Sequence, residues 1–125
     1  MSVRLSLAAV ACLSFGGVAE AGAADLQRAK VEGVELEYQL LGSGEPVVLI
    51  HAGVCADWFE PLLAEPALTE RFRILSYHRV GYAGSSKVSG PLSLRDQSNH
   101  LRELMRTLNI ESAHLVGHSS GANIA

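Results

Sequence analysis

Cysteine is nearly absent from this chain, and that sets a first limit. Of the two in 125 residues, Cys12 lies in an N-terminal stretch that reads as removable. Cys55 then stands alone, so no internal disulfide can form. An oxidising compartment is allowed but not exploited. No activating group flanks Cys55, which is expected to be a partly buried free thiol rather than a nucleophile. Basic clusters are missing too. Ten Lys and Arg against thirteen Asp and Glu leave a net charge of −3, with both signs scattered, which argues against a nucleic-acid partner. There is no internal repeat and no low-complexity segment. The one extended apolar stretch, Leu5 to about Val18, is short for a bilayer span and is loosened by Gly16-Gly17.

What that stretch does have is the layout of a secretory signal. Arg4 precedes it, and Ala19-Glu20-Ala21 and Ala21-Gly22-Ala23 come after it with the small-x-small form of a cleavage site. Residues 1–23 are therefore expected to be a signal peptide, and the mature protein exported, periplasmic or secreted, without stable membrane insertion. A lipid-anchored Cys12 fits less well, because Ala9-Val10-Ala11 before it make a poor lipid-attachment motif.

The mature part, residues 24–125, opens with a hairpin pattern. Val34, Leu36 and Tyr38 alternate with Glu35, Glu37 and Gln39, as in a half-buried strand. Gly33 separates them from the shorter run 29–31, and "GSGEP" ends the second strand. The character then changes. "VVLI" at 47–50 is continuously apolar and β-branched, which suits a strand covered on both faces. "RILSYH" and "AHLVGH" are similar. Between them lie helical patterns. The first is irregular: Pro61 fits an initial turn, and Pro66 must break or kink the helix beyond it. The second is regular, with Ser93 as cap and Leu101, Leu104, Met105 and Leu108 on one face. Asn109 closes it. Strands alternating with helices predict an α/β protein with a mostly parallel sheet, whose ligands bind beyond the carboxyl ends of the strands.

One such end carries Gly117-His118-Ser119-Ser120-Gly121, the pattern G-x-S-x-G, between a strand and an expected helix start. A strand that turns at once into a helix strains the corner residue. The positions two before and two after it must then be tiny. A corner hydroxyl is exposed above the sheet and placed to attack a carbonyl. The N–H of Ser120 points where an oxyanion would form.

"VVLIHAG", "RILSYHRVGYAGSS" and "AHLVGHSSGANIA" together resemble three consecutive landmarks of the α/β-hydrolase fold superfamily, over about Val31 to Ala125. The resemblance implies a serine hydrolase acting on a small-molecule ester, lactone or related acyl substrate, with no metal and no organic cofactor. Ser119 matches the nucleophile and Ser120 one oxyanion donor. His51-Ala52-Gly53 resembles the family's His-Gly-x run, so Gly53 matches the second donor and Val54 is the alternative. "HRVGYAGSS" resembles the family's D-x-x-G-x-G-x-S loop. His78 stands where aspartate is usual, Ser86 or Ser85 takes the serine position, and the loop is expected to be architectural.

The family's acid and histidine come after the serine in chain order, so both are expected beyond residue 125. The chain is accordingly read as a partial α/β-hydrolase domain whose catalysis needs later segments. The histidines present are expected elsewhere: His51 and His78 as structural groups near the site, His118 turned away from the serine, His100 on a solvated or border helix face, and His114 at the surface. Trp58 and Phe59 are expected chiefly in core packing. A non-catalytic hydrolase-fold binding protein and a cofactor-free haloperoxidase-like or C–C bond hydrolase are the alternative functions.

Overall fold

A computed structural model describes residues 25–125; the expected signal peptide lies outside the described residues. Five strands form one sheet: β1 (Gln27–Val31), β2 (Val34–Leu41), β3 (Glu45–Ile50), β4 (Phe72–Tyr77) and β5 (His114–Gly117). Three helices connect them, α1 (Glu60–Leu63), α2 (Pro66–Thr69) and α3 (Leu94–Thr107), and a 3-10 turn, Ser119–Asn123, comes after β5.

The sheet order is β1-β2-β4-β3-β5. β1 and β2 form the expected antiparallel hairpin, and β2 continues antiparallel against β4. β4, β3 and β5 are parallel. The α/β class and the hairpin agree with the sequence pattern, and the expected parallel part is β4, β3 and β5, which the hairpin joins antiparallel through β2.

The continuous apolar run of β3 is explained by its two faces. Val48 and Ile50 enter one core with Leu36, Tyr77, Leu101 and Leu104. Leu49 enters a second core with Phe59, Leu63 and Ile74. The sheet is thus a middle layer with α3 on one side and α1 and α2 on the other. Pro66 does interrupt the first helical segment, standing at the first position of α2. Ser93 caps α3 in a capping box with Asp96. Asn109, at φ +55°, ends the helical path.

Four expectations need correction. Glu37 is buried instead of facing solvent, because β2 lies inside the sheet and the loop after β4 folds over it. His100 is also buried rather than on a border face, lying beside Leu101 on the face of α3 turned to the core. β5 is not a covered strand: Leu115 and Val116 are each about two-fifths exposed. β5 is the terminal strand of the sheet among the described residues. Cys55 is exposed, since it sits in the loop beyond β3 and outside both cores.

Candidate active site

The corner after β5 is built by close approach. Ser119 has φ +51°, in the left-handed region that side-chain-bearing residues rarely adopt. A Cβ on Gly117 would come within 2.5 Å of Ala122 Cα, and one on Gly121 would run into the carbonyl of Ile50. Both flanking glycines are therefore sterically required. His118 N–H donates to Ile50 O at 3.0 Å, tying the corner to the end of β3. Ser119 is exposed above the sheet. The segment after it is a 3-10 turn and not the start of an α-helix.

Gly53 reaches the same place from the loop after β3. A Cβ on it would lie 3.5 Å from both Ser120 Oγ and Tyr82 Oη. The Tyr82 hydroxyl donates to Gly53 O at 2.8 Å and fixes that peptide. The backbone N–H groups of Gly53, Val54 and Ser120 meet no backbone acceptor among the described residues. Val54 is almost fully exposed. The Ser120 hydroxyl faces this loop and accepts from Arg79 Nη2 at 3.3 Å. Gly53 and Ser120 thus come together, with Ser119 next to Ser120 at the corner; Val54 points to solvent.

The histidines are committed elsewhere. His51 is buried. Its Nδ1–H donates to Ala52 O at 2.6 Å, and its Nε2 accepts from Arg79 N–H at 3.0 Å. Burial foremost, with the nearby positive charge of Arg79, brings its pKa down to about 4 against the opposing Ala52 hydrogen bond. It is a neutral strut between two loops. The His118 ring stacks on Trp58, centroids 4.5 Å apart. Trp58 is half exposed, whereas Phe59 is buried in the core. Trp58 therefore departs from its expected core role and Phe59 keeps it. His114 pairs with Glu45 at the surface, 3.0 Å away.

His78 replaces an aspartate of the resembled loop, and the structure shows how. Its Nδ1 lies 2.8 Å from Glu37 Oε1 and its Nε2 3.1 Å from Asp57 Oδ1. Glu37 also accepts from Gly84 N–H at 3.0 Å. Burial alone would raise the Glu37 carboxyl. The His78 and Gly84 hydrogen bonds, with the charges of His78 and Arg28, outweigh it and hold the pKa below its usual value. Ser85 Oγ donates to His78 O at 2.6 Å and accepts from Glu37 N–H at 2.8 Å. Ser86 Oγ accepts from Glu35 N–H at 2.8 Å. These contacts lace the loop to β2, the architectural part expected of it.

Arg79 was not legible as a site residue. It is buried, yet it lines a cavity of about 370 Å³ with Gly53, Tyr82, Gln97 and Ser120. The one signal in the sequence was a cation directly after an apolar strand run, at a carboxyl strand end. No cluster of three or more His, Cys, Asp or Glu suited to a metal occurs among the described residues.

Comparison with known proteins supports this architecture. Residues 45–125 match the sequence profile described as alpha/beta hydrolase fold. The chain is 31% identical over 98 residues to a soluble epoxide hydrolase of Corynebacterium sp. (strain C12), covering 78% of this chain and 34% of that protein. The solved enol-lactonase of Burkholderia xenovorans LB400 superposes with a TM-score of 0.72 and 30% identity, over 78% of this chain and 39% of that one. A meta-cleavage product hydrolase from Pseudomonas fluorescens IP01 gives a TM-score of 0.67 and 31% identity, over 76% and 36%. The chain spans about a third of the length of the curated relatives it matches.

Proposed function

The chain belongs to the α/β-hydrolase fold family, and we propose that Ser119 is the nucleophile of a serine hydrolase cleaving a small-molecule ester, lactone or related acyl substrate. The observation that carries this reading is the strained Ser119 backbone, enforced by two glycines that no larger residue could replace. Strain of this kind is kept where surrounding structure over-determines it, and it lifts one hydroxyl clear of the sheet.

In the proposed reaction Ser119 Oγ adds to the acyl carbon. The N–H groups of Ser120 and Gly53 receive the tetrahedral oxyanion. Collapse expels the alcohol and leaves an acyl-enzyme, which water then cleaves. The base and the acid that orients it come from segments beyond residue 125, as the resemblance implies.

The relatives include an epoxide hydrolase, and the chemistry of serine separates that activity from the one proposed. A serine alkoxide opening an epoxide would form an ether, which water does not readily cleave, so the enzyme would stop after one turnover. A serine ester is hydrolysable. The hydroxyl at this corner therefore favours acyl transfer.

The test is covalent labelling of the full-length gene product with a fluorophosphonate. Ser119 should carry the label, and Ser119→Ala should lose it. Ser120→Ala should still be labelled, because its backbone donor survives. Labelling at Ser120 or Cys55, or activity retained in Ser119→Ala, would overturn the assignment. A folded protein that never labels would favour a non-catalytic binding role.

A further inference from the structure

Arg79 carries a positive charge that the described residues do not balance. It is buried, with only 5% of its surface exposed. Nη1 donates to Gln97 Oε1 at 2.9 Å and Nη2 to Ser120 Oγ at 3.3 Å, both neutral acceptors. Nε has no partner among the described residues. The Tyr82 ring lies 5.1 Å from the guanidinium carbon, which offsets part of the charge. No carboxylate pairs with it: Asp57 and Glu37 both face His78. Buried charges are ordinarily paired, because an unpaired one loses its hydration without replacement.

The position of this charge matters as much as its isolation. The guanidinium borders the same cavity as Gly53 and Ser120, the residue next to Ser119. A Cβ on Gly53 would stand 3.9 Å from Arg79 Nη2. An anion entering that cavity would meet a pre-positioned planar fork, the geometry that recognises carboxylates.

We propose that Arg79 receives a free carboxylate on the substrate, so that the substrate class is an ester or lactone bearing a carboxylate a few bonds from the scissile carbonyl. Scission of that carbonyl rests on the Ser119 reading; the anion site does not. A single guanidinium balances one negative charge, which suits a carboxylate better than a phosphate dianion.

Binding can be measured without turnover. Monoamides of succinic, glutaric and adipic acid are titrated calorimetrically into the full-length gene product, beside chain-matched amides ending in methyl. At least one monoamide should bind about tenfold or more tightly than its neutral counterpart, as expected of a charge-assisted contact. Arg79→Gln should erase that difference, and Arg79→Lys should keep part of it. Equal binding of charged and neutral amides by the unmutated protein would overturn the proposal, and needs no variant to fold. So would a preference that persists in Arg79→Gln, or tighter binding of inorganic phosphate than of any monoamide.

Fluorophosphonate labelling of the same preparation separates the two readings. Labelling at Ser119 without a carboxylate preference removes the anion site and leaves the nucleophile. A carboxylate preference without labelling does the reverse. If Arg79 merely braced the corner, Arg79→Gln would weaken charged and neutral ligands alike and leave their ratio unchanged.

Discussion

His51 closes β3 with both ring nitrogens engaged by backbone groups, and that makes it a pH-sensitive support. Unfolded, the imidazole titrates near 6.5; folded, near 4. Between those values the unfolded chain binds a proton that the folded chain refuses. Stability is thus fully present above about pH 6.5 and falls as pH drops toward 4, by up to about 3 kcal/mol. Glu37, whose folded pKa is lowered from 4.5, acts in the same direction but only below that value. Urea midpoints measured across pH 4.5–6.5 should therefore decline with acidity, and His51→Gln should flatten that slope. A slope unchanged in the variant would assign the effect to another group. At this scale the sequence was uneven as a guide. Ser119 could be read because its constraint is steric and local: glycines at fixed offsets from one corner. Arg79 and Glu37 could not, because their roles depend on which loop folds over which strand, and no short-range pattern encodes that.

Among the elements, α3 shows how much local chemistry declares itself. Ser93 Oγ accepts from Asp96 N–H at 3.0 Å, and Asp96 Oδ2 returns the contact to Ser93 N–H at 3.2 Å. The pair satisfies two donors that the helix cannot, so Ser93→Ala should lower stability by about 1 kcal/mol, read as a shift in urea midpoint at constant slope. An unshifted midpoint would mean the exposed helix start frays regardless of its cap. Capping residues, the break at Pro66 and the hairpin around Gly33 were legible because each arises from a residue's own backbone or side-chain geometry. Burial of whole elements was less so. The alternation in β2 matched a strand with one wet face, yet Glu37 is buried under the loop after β4, with His78 Nδ1 2.8 Å from its carboxylate. The apolar run of β5 matched a covered strand, yet Leu115 and Val116 are exposed. An apolar pattern states what an element could bury, while the neighbouring elements decide what it does bury.

For the molecule as a whole, the arrangement separates the site's geometry from its proton chemistry. The described residues bring an exposed hydroxyl, the unengaged N–H groups of Gly53 and Ser120, and a buried cation around one corner. None of their histidines hydrogen-bonds the Ser119 hydroxyl. His51 is held neutral between Ala52 and Arg79, His78 lies between two carboxylates, and His118 is stacked on Trp58. His100 is buried on α3, and His114 is paired with Glu45 at the far end of β5. A polypeptide of residues 1–125 should therefore hydrolyse p-nitrophenyl esters several orders of magnitude more slowly than a complete serine hydrolase. An enzyme stripped of its base keeps only what binding and the oxyanion donors supply, about 10³–10⁴ over water. Even that residue of rate requires the corner to hold its shape beside a β5 whose side chains are exposed. Turnover by the purified polypeptide that matches a full-length homologue, and that disappears in Ser119→Ala, would show that a base lies within these residues after all. Turnover that survives Ser119→Ala would instead point to a contaminant or to another nucleophile, with the exposed thiol of Cys55 the first to replace by serine.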